Sequence, residues 1–264
     1  MNPPVALTIA GSDSSGGAGL QADLKAFAAS RVYGLTVATA VVAERPGAVL
    51  SIHPVTADCL QDQISAVLPH YPVAAIKTGL LPTAELIDVV RRALHFSNAQ
   101  LVIDPVAIAS TGTALAQADA ATALRLLIQE RATLVTPNRA EAEHFLEEPI
   151  APGQVRDAAA ELARMFGCAI LLKGGHFDGP ESIDWLADGD CLLDFRAPRL
   201  IGIDVHGTGC TYSAAITARL ALGMPLAEAI RSARAYLQAV LEDHWEWTVP
   251  GGSRIKALAN APEP

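Results

Sequence analysis

Short apolar runs alternate with longer amphipathic segments along most of the chain. The runs at residues 5–10, 35–43, 73–81, 100–106, 133–138 and 168–176 predict strands. Between them, residues 20–30, 84–94, 119–131, 139–146 and 155–166 predict helices. This is the βα rhythm of a mostly parallel sheet. Residues 182–197 read as a hairpin turning at Asp188 and Gly189. One further helix starts after Thr208 and another runs through 225–244, whereas the Gly-, Pro- and Ala-rich tail after Trp247 is expected to be loose. No linker or internal repeat divides the chain. The expectation is therefore one α/β domain over residues 1–264, ordered from about 5 to 245, with helix, sheet and helix layers. In such sheets ligands bind at the carboxyl ends of the strands.

Composition narrows the partners. With 264 residues and 51% hydrophobic content, the chain can bury a sizeable core. The formal net charge is −9 with no Lys/Arg cluster, which makes nucleic acid and anionic membrane poor partners. No apolar run reaches the roughly 18 to 20 residues that span a bilayer. The longest uncharged stretch, residues 33–43, is broken by Gly34 and threonines and reads as a core strand. The first residues lack the basic n-region and the cleavage site of a signal peptide. Cys59, Cys168, Cys191 and Cys210 are scattered without a CxxC, so a reducing cytoplasm is expected.

Candidate chemistry collects at the predicted strand ends. GSDSSGGAG, residues 11–19, is longer than the usual βα turn of about 2 to 6 residues and lacks the lysine of a Walker loop. It reads as a ligand-wrapping loop or as a tight strand-to-helix turn. Asn138 and Glu141 stand one helical turn apart after a strand, a spacing that suits either a helix cap or a hydrated Mg²⁺. Asp104 closes a strand before a proline, where it can serve the same metal or cap a turn. Lys173 and Lys77 emerge at strand ends, placed to neutralise phosphate or simply to meet solvent. In VHGTGC, the N–H groups of Gly207, Thr208 and Gly209 at a helix start can hold a transferring phosphoryl group. Cys210 follows at once. A helix N-terminus lowers thiol pKa values, so a Cys210 thiolate is expected as proton acceptor, with a buried packing role as the alternative.

GSDSSGGAGLQADLKAF, KTGLL, DPV, TPNRAEAE, LLKGGH and HGTGCTYSAA together resemble the hydroxymethylpyrimidine/phosphomethylpyrimidine kinases of thiamin biosynthesis, within the ribokinase-like superfamily. The resemblance runs from about residue 6 to about residue 241. It implies a ribokinase-like three-layer fold and transfer of phosphate from ATP, with Mg²⁺, to 4-amino-5-hydroxymethyl-2-methylpyrimidine and then to its monophosphate. It also implies Cys210 as base, Lys173, Asn138 and Thr208 at the triphosphate, and Asp104 and Glu141 at the metal. Gly11, Asp13, Ala18, Asp23, Val42, Glu44, Leu80 and Val106 would line the acceptor site, and the molecule would be a cytoplasmic homodimer.

Three stretches depart from the family pattern. Glu44 stands where a glutamine usually reads the aminopyrimidine edge, with Arg45 in place of an asparagine. Leu80 replaces a methionine, and Ser110, Thr111 and Gly112 stand where a lysine–glycine pair is common. An ionised glutamate repels the lone pair of an unprotonated ring nitrogen. Relief requires a protonated ring, a protonated Glu44, or a carboxylate turned toward Arg45. Pyridoxal or pyridoxine kinase is the rival enzymatic reading, and a catalytically silent ligand sensor is the non-enzymatic one.

Overall fold

The computed structural model describes residues 2–45, 47–106, 116–117, 119–177, 179–203, 205–249, 251–252 and 254–260. Its centre is a nine-stranded sheet in the order β3-β2-β1-β4-β5-β6-β7-β8-β9. These strands are β1 (Val5–Asp13), β2 (Tyr33–Arg45), β3 (Ala48–Pro54), β4 (Val73–Thr78), β5 (Gln100–Ile103), β6 (Leu134–Val135), β7 (Ala169–Leu172), β8 (Glu181–Asp188) and β9 (Cys191–Pro198). β2, β1, β4, β5, β6 and β7 run parallel; β3 pairs antiparallel with β2 at one edge, and at the other edge β8 pairs antiparallel with both β7 and β9.

Alternate strand residues feed opposite cores. Val5, Leu7 and Ile9 face one layer with Leu101, Ile103, Ile170 and Leu172, whereas Ala6, Val102 and Leu171 face the other. Both faces of the sheet are thus covered, which is why its strands are apolar runs rather than alternating ones. α2 (Ala57–Val67), α3 (Ala84–Leu94), α4 (Ala120–Arg131), α5 (Arg139–Leu146) and α6 (Val155–Phe166) cover the first face. The second face carries α1 (Gly19–Ala29), α7 (Thr208–Ala221) and α8 (Leu226–Glu242). Every residue of α7 from Thr211 to Ala221 is buried, so the helix is held on all sides and gives its N-terminus a rigid base.

The chain leaves β1 toward β2 on one side and later returns to β4 on the other. Strand order reverses there, opening a crevice at the strands' carboxyl ends.

Three expectations are corrected. The strand β3 and helix α2 were not anticipated. β3 is a half-exposed edge strand ending in Pro54, and α2 buries only Leu60 and Ile64 of its own residues, so neither has a strong apolar pattern. The hairpin turn sits one residue later, because Asp188 pairs with Cys191 across Gly189 and Asp190. The described part of the tail is not loose, since β10 (Trp245–Thr248) pairs antiparallel with β11 (Arg254–Ala257), and Leu258 and Ala259 are buried. No described helix is long and apolar enough to cross a membrane.

Candidate active site

The loop after β1 is organised by Asp13. Its carboxylate accepts from Ser15 N at 2.7 Å, Ser15 Oγ at 2.8 Å, Gly17 N at 3.1 Å and Ala18 N at 2.8 Å. Burial alone raises a carboxyl pKa, but His206 and these donors outweigh it and hold Asp13 down at about 2. Asp13 therefore shapes the loop. Gly19 opens α1 at φ +56, where a Cβ would lie 2.2 Å from Gly11 O, so only glycine fits this approach.

The turn before α7 packs on that loop. Gly207 has φ +83, and a Cβ on it would lie 1.8 Å from Gly17 O. A Cβ on Gly209 would meet Lys173 Nζ at 3.3 Å and Asp104 Oδ2 at 3.8 Å. The N–H groups of Gly207, Thr208 and Gly209 begin an α-helix with no side-chain cap, which leaves backbone donors for an anion.

Lys173, just past β7, donates to Asp104 Oδ1 at 2.8 Å. Asp104 is buried beyond the end of β5 and also accepts from Thr136 Oγ1 and Ser213 Oγ, each at 3.2 Å. Burial would raise its pKa, yet the Lys173 and Lys77 ammonium groups hold the carboxyl below its ordinary value. Asp104 was expected to ligate a metal. Its oxygens are engaged by Lys173, Thr136 and Ser213, so it anchors Lys173 while a carboxylate lone pair remains for a cation.

Asp23 is held by a lysine in a similar way. It was expected at the acceptor, but it is fully buried, and both its oxygens accept from Lys77 Nζ at 2.8 Å. Thr8 Oγ1 adds a bond of 2.6 Å. Burial disfavours the ammonium, but Asp23, Cys210 and Asp104 more than compensate and raise the Lys77 pKa. Lys77 is thus a fully buried, charged lysine at the end of β4 rather than a solvated one.

Asn138 and Glu141 form a reciprocal cap on α5. Glu141 N donates to Asn138 Oδ1 at 3.0 Å, and Asn138 N donates to Glu141 Oε2 at 2.8 Å. Glu141 also faces Lys173 and Asp104. Burial pushes its carboxyl up to about 7, lowered in part by Lys173 and raised further by Asp104. Metal ligation needs the ionised carboxylate, so a hard divalent cation at Glu141 would displace its proton.

Cys210 is half-buried in the first turn of α7. The expected thiolate is not the resting form. Burial pushes the thiol up to about 11, Lys77 pulls against it, and Asp104 and Asp23 add to the rise. A Gly19 N–H contact lowers it only in part. Helix position alone was the wrong guide, because burial and two carboxylates oppose it.

The residues expected at the acceptor on β1, β2 and the segment after β4 lie together. A Cβ on Gly11 would lie 3.2 Å from Leu80 Cδ2 and 3.4 Å from Val42 Cγ2, and Ala40, Val42 and Leu80 form a small buried cluster. Ala18 caps this region as the residue before α1, and Val106, half-buried, follows Asp104. Glu44 lies within β2, opposite Val49, and Ser14 Oγ bridges its backbone at 3.0 and 3.1 Å. Its carboxylate Oε1 is 3.4 Å from His206 Nε2, which is also 3.5 Å from Asp13 Oδ2. Burial raises the Glu44 pKa, His206 lowers it and Asp13 raises it. Ser110, Thr111 and Gly112 lie outside the described residues. Sequence reasoning passed over His206, Thr136 and Ser213, and only His206, directly before the glycine turn, carried any visible signal.

One sheet between two helical layers, with an anion-ready helix start beside lysine-bearing strand ends, has the arrangement of a ribokinase-like phosphotransferase. Residues 13–252 match the phosphomethylpyrimidine kinase family model, and the chain belongs to that family. It is 43% identical over 239 residues to the hydroxymethylpyrimidine/phosphomethylpyrimidine kinase of Rhizobium meliloti (strain 1021), covering 90% of each chain. Its fold matches the phosphomethylpyrimidine kinase from Clostridium difficile 630 with a TM-score of 0.79 and 35% identity, over 89% of this chain and 98% of that one. The ADP complex of Bacillus subtilis pyridoxal kinase matches with a TM-score of 0.86 and 31% identity, covering 98% of both chains.

Proposed function

We propose that the protein transfers the γ-phosphoryl group of ATP to 4-amino-5-hydroxymethyl-2-methylpyrimidine and then to the resulting monophosphate, in thiamin biosynthesis. The observation that carries this reading is the position of Lys173. Its ammonium lies beside Gly209, at the start of α7, and is held there by Asp104. A phosphoryl group placed over Gly207, Thr208 and Gly209 meets backbone N–H donors and that positive charge together. Positioning and electrostatics supply most of the catalysis in such transfers.

The acceptor lies against Gly11, Val42 and Leu80, with Glu44 at its polar edge. Its hydroxyl oxygen bonds to the γ-phosphorus as the bond to the ADP oxygen breaks, and the hydroxyl proton passes to Cys210 Sγ. Cys210 does this from its minor thiolate form, since its pKa is about 11. Lys77, clamped by Asp23, favours that thiolate. Mg²⁺ would be held by Glu141, beside Asn138, and would neutralise charge across the triphosphate. The family resemblance supports a cytoplasmic homodimer.

The test is ATP consumption with hydroxymethylpyrimidine, its phosphate, pyridoxal and pyridoxine side by side. Turnover with both pyrimidines supports the reading. Preference for pyridoxal by tenfold or more would replace it, and turnover of none would leave a ligand sensor.

A further inference from the structure

Asp13, Glu44 and His206 bring three potential ligand atoms within 4.8 Å of one another. The grouping looks suited to a metal, but Asp13 Oδ2 already accepts from Ser15 Oγ, Gly17 N and Ala18 N. Its lone pairs are committed to the loop. His206 is the member of the cluster that carries ring nitrogens, and its Nε2 stands between the two carboxylates, 3.4 Å from Glu44 Oε1 and 3.5 Å from Asp13 Oδ2.

The three residues come from separate elements. Asp13 ends β1, Glu44 lies near the end of β2, and His206 directly precedes Gly207 of the phosphoryl turn. The imidazole packs tightly on the glycine loop, since a Cβ on Gly17 would lie 3.1 Å from His206 Cδ2. Ser14 fixes the backbone of Glu44, so the carboxylate is aimed from a held position. The side chain of Glu44 is only 9% exposed. A carboxylate so enclosed and facing Asp13 needs a charged or strongly donating partner to remain ionised.

We propose that His206 is a specificity-determining positioning residue: it holds the Glu44 carboxylate against the acceptor, so that the site selects a ring edge donating two hydrogens. An exocyclic amine beside a protonated ring nitrogen is such an edge, and it pairs with a carboxylate through two charge-assisted bonds. A ring that presents a bare nitrogen without the amine meets only repulsion there. The inference rests on the reading that Gly11, Val42 and Leu80 line the acceptor pocket. It goes further by tying ring recognition to the phosphoryl turn through one side chain.

The test is a double-mutant cycle of Glu44→Gln and His206→Gln, read as kcat/KM for the aminopyrimidine alcohol and for pyridoxal, with KM for ATP alongside. Loss of a close charged partner beside an enclosed carboxylate supports a loss of roughly 10- to 100-fold. His206→Gln should therefore lower kcat/KM for the aminopyrimidine by about that factor and move KM for ATP less than about twofold. In the Glu44→Gln background the same change should cost less than about threefold, because an amide needs no counter-charge. Equal losses in both backgrounds, or a parallel loss in ATP binding, would overturn the inference. If Glu44→Gln alone changes neither acceptor, the pocket assignment itself fails, and the two failures are thereby separated. Melting curves accompany each variant, and His206→Asn replaces His206→Gln should the latter melt below the assay temperature.

Discussion

Lys173 donates to Asp104 at 2.8 Å, joining the segments that follow β7 and β5 beside the first turn of α7. The pair is both structural and functional, and the two parts separate by mutation. Lys173→Met leaves Asp104, 2% exposed, without its main counter-charge, which typically costs about 3 to 5 kcal/mol. Asp104→Asn in the same chain should recover most of that stability while activity stays lost. Recovery of ATP turnover in the double variant would show that Lys173 serves folding only.

Gly207 and Gly209 differ in what surrounds them. A methyl group on Gly207 strikes the Gly17 carbonyl at 1.8 Å and takes a positive φ, so Gly207→Ala should both destabilise the protein and abolish turnover. Gly209→Ala meets only the end of Lys173 at 3.3 Å and Asp104 Oδ2 at 3.8 Å. Its melting temperature should change little, while kcat falls by about tenfold or more through a displaced lysine. Equal melting losses in the two variants would contradict this division.

The Cys210 thiol, at about 11, sets a pH dependence. Below that value the thiolate fraction grows about tenfold per pH unit, so turnover limited by chemistry should climb with that slope from pH 7 to 9. Cys210→Ala should remove the slope and lower kcat by about 10² to 10⁴-fold at the upper end. A flat wild-type profile, with chemistry shown to be limiting, would return Cys210 to a packing role.

Asp13 is held below its ordinary pKa in the folded protein. The folded value is about 2 against an ordinary 3.8. Stability from this group is present above pH 3.8 and is lost as pH falls through about 2. Allowing for solvent screening, the contribution is on the order of 1 to 2 kcal/mol. Asp13→Asn should therefore melt below wild type at pH 7, with the gap narrowing between pH 4 and 2. A gap that does not change with pH would assign the loss to loop geometry instead.

Glu141→Gln keeps an oxygen to accept from Asn138 N, so the α5 cap should survive and the melting temperature should hold. The Mg²⁺ concentration for half-maximal activity should rise by about tenfold, with partial rescue at high Mg²⁺. A stability loss with unchanged Mg²⁺ dependence would confine Glu141 to capping.

The sequence by itself determined the layered α/β class, because each buried parallel strand must read as an apolar run and each covering helix as an amphipathic one. It also located the glycine loop, the α7 turn, Asn138, Glu141 and Lys173, since glycines and polar residues at strand ends stand out against apolar neighbours. β3 and α2 were missed because their burial depends on lying at a sheet edge and against α3, not on their own pattern. The tertiary structure alone decided the ionisation and pairing of the site. Helix position suggested a thiolate at Cys210, yet enclosure beside Asp104 and Asp23 reverses the direction. Asp23 and Asp104 are paired with Lys77 and Lys173, which lie 54 and 69 residues away in the chain. Glu44 met His206 only when β2 and the start of α7 converged on the crevice. Charges interact through space, and a local sequence pattern carries no information on which distant charge folding will bring near.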